Sequence, residues 1–163
     1  MNQPKNNFTA VVQPLLVSAR IQRNKYGQPE GFTRAQYLSE FSTVGFTATR
    51  QTGKTSWVFE QLQDNPDAIA FVSYPLQKAM GVESYAELVG DVPTSVSDRI
   101  YTLTELKEAI AQARTPFGKD ELREHFTQVY VDDAAYVFEK VRRSAFYAWL
   151  AGRQQDVEII LVN

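Results

Sequence analysis

Three groups of residues in this chain could do chemistry together. Thr49-Arg50-Gln51-Thr52-Gly53-Lys54-Thr55-Ser56 gathers two cations and several hydroxyls around one glycine, Asp132-Asp133 supplies adjacent carboxylates, and Asn163 follows an apolar run. The chemistry such a set suits is binding of a nucleoside triphosphate. Backbone N–H groups of a loop wrapped ahead of a helix start converge on phosphate, and the helix dipole favours the anion. Gly53 lets the backbone come close, Lys54 brings positive charge to the β- and γ-phosphates, and Thr55 offers a hydroxyl to Mg²⁺. Asp132 would hold Mg²⁺ directly or through water, and Asp133 would orient or deprotonate the water that attacks the γ-phosphate. The usual pattern is G-x-x-x-x-G-K-[ST], and Ala48 stands here where the first glycine belongs.

These residues need elements to position them. Val44 to Thr47 reads as a strand running into the loop, and Trp57, Val58 and Leu62 continue as an amphipathic helix to about Asp64-Asn65-Pro66. Ala68 to Ser73 is a continuous apolar run of the kind a parallel strand needs when both its faces are covered. Strand, loop, helix and strand form a βαβ unit. Thr127 to Asp133 is a second β-rich run, and in open α/β sheets ligands bind outside the carboxyl ends of strands, which aims the two acids at the loop. The competing reading is that Asp132-Asp133 caps the next helix, since acids favour helix N-termini. That helix runs from Ala134 to Leu150, interrupted by Arg142 and Arg143, and Gly152 ends it. Val157 to Val162 is a further buried-type strand, and a polar residue at its tip, Asn163, is a candidate γ-phosphate sensor.

Elsewhere the chain offers structure rather than chemistry. Residues 1–32 read as an N-terminal arm or extended segment, because Gln13-Pro14 breaks the apolar run from Val11 to Ala19 and Asn24 to Gly31 is dense in turn formers. Thr33 is an N-cap for a helix carrying Leu38 and Phe41. Tyr74 to Met80 reads as a short helix and Gly81 to Asp98 as irregular. A short strand over Ile100 to Leu103 leads into a helix whose capping box is Thr102 and Glu105 and which extends through Arg114. Residues 33–163 then form one α/β domain, in three layers with a mostly parallel sheet and flanking helices.

Composition excludes other chemistries. There is no cysteine and one histidine, His125, so thiol nucleophiles, Cys-based zinc sites and a Ser-His triad have little to draw on. Net charge is −2, which gives no global basic field for nucleic acid and leaves only a local face to supply one. No run approaches the ~20 apolar residues of a membrane span, and absence of cysteine fits a reducing cytoplasm.

The loop resembles the variant phosphate loop of the large-terminase ATPases, motors that package DNA into tailed-phage heads, where Arg-Gln also precedes x-Gly-Lys-Thr. Val129-Tyr130-Val131-Asp132-Asp133-Ala134-Ala135-Tyr136 resembles that family's acidic motif, and Ile159 to Asn163 sits where its coupling motif begins. The resemblance spans Phe46 to Asn163. It implies a phosphate-loop NTPase fold, ATP and Mg²⁺ as cofactors, Arg50 as a phosphate-sensing arginine and Asp133 in place of the catalytic glutamate. It also implies hydrolysis harnessed to work on DNA or on a phage or host protein partner. Homo-oligomers, with Arg142 or Arg143 acting in trans, and a bacterial host cytoplasm follow from the same source. The departure is Asp133, one methylene shorter than glutamate, which implies slow turnover. The residues alone leave a small nucleotide or nucleoside kinase and a non-catalytic interaction module as alternatives.

Overall fold

The apolar runs become five strands, β1 (Thr43–Phe46), β2 (Ala68–Val72), β3 (Ile100–Thr102), β4 (Gln128–Asp132) and β5 (Glu158–Val162). Among the described residues seven helices accompany them: α1 (Phe8–Tyr26), α2 (Arg34–Phe41), α3 (Lys54–Asp64), α4 (Thr94–Ser97), α5 (Leu103–Ala113), α6 (Ala134–Lys140) and α7 (Arg143–Gly152). This is a computed structural model, which describes residues 7–49, 52–74, 94–116, 118, 120–153 and 156–163; the segment expected as a short helix over Tyr74 to Met80 lies, beyond Tyr74, outside them.

The strands form one all-parallel sheet in the order β1-β5-β4-β2-β3. Every residue of β2 and β5 is buried, as unalternating apolar sequences require when helices cover both faces. Side chains alternate by face. Ile69, Phe71, Val129, Val131, Ile159 and Leu161 enter a core with α2, α5, α6 and α7. Ala68, Ala70, Val72, Tyr130, Ile160 and Val162 enter a second core with α1 and α3. The architecture is α/β in three layers.

Local signals explain the helix starts. Thr33 accepts a hydrogen bond from the Gln36 N–H while the Gln36 side chain accepts from Thr33, and Thr102 and Glu105 make the same reciprocal pair at α5. Two expectations need correction. The N-terminal arm is not extended: α1 is a 19-residue helix despite Pro14. Pro14 lies on the exposed side, and burial of Val12 and Leu16 in the core of α1 and α3 offsets the lost helical bond. Helix α1 thus contributes to the second core, with α3 and one face of the sheet. The helix expected over Ala134 to Leu150 is two helices, because Val141 is extended (φ −125°, ψ 126°) and turns its side chain inward. The arginines mark this break rather than a flaw within one helix.

Two polar clamps hold the strands at their amino ends. Arg99, buried, donates to the carbonyls of Leu62, Asn65 and Ala68 at 2.6, 2.8 and 3.0 Å, closing the end of α3 onto the start of β2. Glu158, opening β5, accepts from Arg20 at 2.6 and 2.8 Å, Arg23 at 2.8 Å and Gln128 at 3.0 Å, which fastens α1 to the sheet. Burial alone would raise the Glu158 carboxyl, but the bonds from Arg20, Gln128 and Arg23 outweigh it and hold it down at about 2 against an ordinary 4.5. A lowered carboxyl stabilises the fold above its unfolded value and loses that contribution as pH falls from about 4.5 towards about 2. Glu158→Gln should therefore lower stability at neutral pH by on the order of 2 kcal/mol, partly exposed Arg20 being discounted, and flatten the acid limb of stability against pH. Urea denaturation across that range checks it. An unchanged acid limb would mean that Glu158 is not the group that titrates.

Candidate functional site

Register places the site. Val162 of β5 is level with both Phe46 of β1 and Asp132 of β4, so strands two positions apart end at the same height. Helix α3 leaves β1 on one face of the sheet, and α6 leaves β4 on the other. Between two such departures an α/β sheet opens a crevice at its carboxyl edge, where ligands bind.

Alternation then aims Asp132. It shares the face of Tyr130, towards α3, and the Thr55 hydroxyl in the first turn of that helix donates to Asp132 Oδ2 at 2.5 Å. Asp132 is 2 % exposed. Burial raises its carboxyl above the ordinary range, and the bonds from Thr55 and the Asp133 N–H, with the nearby Lys54 charge, offset only part of that. A buried carboxylate beside a hydroxyl is a donor set of hard oxygens. That set fits Mg²⁺, which takes one or two protein oxygens and leaves its other positions to phosphate and water.

The loop brings its cation to the same place. Gly53, the N-cap of α3, has φ 78°, a left-handed conformation in which glycine avoids a steric penalty, and an added Cβ would meet no protein atom within 4 Å. The requirement for glycine is one of backbone shape. Lys54 Nζ donates to the Ala48 carbonyl at 2.8 Å, folding the ammonium across the loop mouth. Thr52 Oγ1 donates to the Thr49 carbonyl at 2.8 Å, and Ser56 follows half-buried in α3. Arg50 and Gln51 lie outside the described residues.

Asn163 ties the two halves together. Its N–H donates to the Phe46 carbonyl at 3.1 Å and its carbonyl accepts from Ala48 at 2.8 Å, extending the pairing of β5 with β1 into the loop. Its side-chain oxygen accepts from the Ala135 N–H at 2.7 Å, at the start of α6. The chain thus unites Thr49, Thr52, Gly53, Lys54, Thr55, Ser56, Asp132, Asp133 and Asn163 at one edge of the sheet.

Asp133 behaves unlike Asp132. It occupies the N-cap position of α6 but makes no capping bond, so the capping reading fails for its side chain. Its backbone is left-handed (φ 54°, ψ 50°), the one non-glycine residue with positive φ among those described. The carboxylate is exposed and accepts from Ser73 Oγ at 3.3 Å. Ser73 is the participant that sequence reading missed. Its signal was its place at the end of the β2 run, beside β4, where any polar residue meets the acids. Tyr74 and Tyr136 pack beside it with ring centroids 5.1 Å apart, and their hydrogen bond is the main cause that lifts the Tyr74 hydroxyl to about 12. No family model, curated protein or solved structure matches the chain.

The left-handed backbone at Asp133 separates two substitutions. Asparagine tolerates that region and a β-branched residue does not. Asp133→Asn should change unfolding free energy by no more than about 0.5 kcal/mol, and Asp133→Val should cost about 1–2 kcal/mol. Equal effects in urea melts would show that position 133 is not left-handed.

Proposed function

We propose that this chain binds ATP with Mg²⁺ and hydrolyses its γ-phosphate, using the energy for work on nucleic acid or a partner protein. One observation carries the reading. The hydroxyl that follows Gly53-Lys54 reaches the buried carboxylate at the end of a parallel strand two positions away, at 2.5 Å. Composition does not demand that pairing, and phosphate-loop chemistry does.

The residues divide the labour as follows. N–H groups at the start of α3 face the phosphates with the positive end of the helix dipole. Lys54 exchanges its bond with the Ala48 carbonyl for phosphate oxygens, and Arg50 would sense the transferred group. Thr55 and Asp132 would hold Mg²⁺, which when bound neutralises charge on the β- and γ-phosphate oxygens. Asp133 takes the proton of the attacking water, whose oxygen bonds to the γ-phosphorus as the bond to the β-phosphate oxygen breaks, giving ADP and inorganic phosphate. Ser73 holds Asp133 in place. Asn163, bonded to the loop and to α6, would report the γ-phosphate from one half of the site to the other. The shorter reach of aspartate makes this hydrolysis slow.

Titration calorimetry with ATP and Mg²⁺ tests the reading. Native protein should bind at micromolar levels, and Lys54→Ala should weaken binding roughly 30- to 100-fold, the loss expected for a charge-assisted contact. Asp133→Asn should keep binding and lose phosphate release. Equal binding by native protein and Lys54→Ala, or none by either, would defeat the proposal. Transfer of phosphate to a nucleotide acceptor would favour the kinase instead.

A further inference from the structure

A basic cleft lies away from the phosphate loop, between the end of α5 and the junction of α6 with α7. Its volume is about 240 Å³. Lys107 and Arg114 line one side and Lys140 and Arg142 the other, over a floor that includes Ile110 and Val141, and among the described residues no carboxylate lines it. All four cations are exposed. On a chain of net charge −2 this is a local concentration of one sign, which mutual repulsion disfavours and an anionic partner would relieve.

A chain of side-chain contacts links the cleft to the candidate site. Lys140 Nζ lies 5.4 Å from the centre of the Tyr136 ring, one helical turn back on α6, and Tyr136 packs on Tyr74. Tyr74 is 50 % exposed. A row of cations ending in an exposed aromatic ring is the combination that binds single-stranded nucleic acid: phosphates follow the charges, and an unpaired base stacks on the ring. A duplex keeps its bases stacked on each other and would leave Tyr74 without a role. An acidic peptide would use the charges but has no planar base for the ring.

We propose that this surface binds single-stranded nucleic acid, with Lys107, Arg114, Lys140 and Arg142 on the phosphates and Tyr74, supported by Tyr136, stacked on a base near Asp133. This names a partner for the work proposed above and rests on that reading for its purpose, though binding itself does not depend on it.

Fluorescence anisotropy of the full chain with a labelled oligothymidylate of about 16 nucleotides tests it. Four phosphate contacts predict that log affinity falls with log salt at a slope of about −3. Lys107→Glu with Arg142→Glu should lower affinity at least about tenfold and flatten that slope by one or more. Tyr74→Ala should lower affinity about fivefold or more with the slope unchanged. Should the double reversal unfold the chain by circular dichroism, Lys107→Gln and Arg142→Gln singly read the same slope. The proposal falls if the oligonucleotide does not bind or if the charge variants bind like the native chain. It also falls if a duplex of equal length binds as tightly and Tyr74→Ala has no effect, or if poly-glutamate competes as well as the oligonucleotide. ATP titration of the same sample separates the two readings. Oligonucleotide binding without ATP binding sinks only the proposed function, and ATP binding without oligonucleotide binding sinks only this inference.

Discussion

The site depends on parallel register. β5 lies between β1 and β4, and Val162 pairs with Phe46 on one side and Asp132 on the other. With strands about 4.8 Å apart, this sets the exit of the loop strand and the acidic residue at one height across roughly 10 Å. A slip of one residue in β4 would turn Asp132 to the other face of the sheet, away from Thr55. No loop adjustment restores that contact, because α3 is fixed by Trp57, Val58, Phe59 and Leu62 in the core beneath it. Packing of apolar residues thus fixes a polar distance.

The two aspartates differ through geometry rather than chemistry. Asp132 completes a strand and is carried indoors, where its charge costs solvation that a hydroxyl and one N–H only partly replace. A carboxyl raised by burial lowers fold stability as pH climbs past the ordinary carboxylate range, and a cation at the site would reverse that loss. Asp133 leaves the strand by a left-handed turn and stays in water. Neighbouring acids of one type are thereby separated into a buried one and an exposed one.

Much of this was legible in the sequence because its signals were local. The βαβ unit around Gly53-Lys54-Thr55, the buried runs of β2, β4 and β5, and the caps at Thr33 and Thr102 each follow from residue type and spacing within one element. The unread parts depend on tertiary contact. Pro14, a local breaker, predicts an extended arm where α1 stands, whereas the burial of Val12 and Leu16 and the grip of Arg20 and Arg23 on Glu158 come from residues far along the chain. The Val141 break is set by the direction in which that side chain finds the core. Ser73 joins the site only because β2 neighbours β4, and pairing order is not written in any single strand. Arg99 was equally silent, since its acceptors are backbone carbonyls of other elements.

These clamps also explain how the carboxyl edge can carry strain. Arg99 and Glu158 act at the amino ends of the strands, and the sheet between the two ends is buried on both faces. A left-handed aspartate and a carboxylate held away from water each oppose folding by on the order of 1–3 kcal/mol, and such features persist where surrounding structure over-determines them. Here that surplus lies at the opposite end of the same strands. At the carboxyl edge Lys54 is bonded to the Ala48 carbonyl, and the Asn163 side chain joins the end of β5 to the N-terminus of α6. From there the path to the basic cleft is one short helix, seven residues from Ala134 to Lys140. It is bounded by a left-handed residue before it and an extended one after it. The break at Val141, where an extended residue turns its side chain into the core, separates this helix from α7.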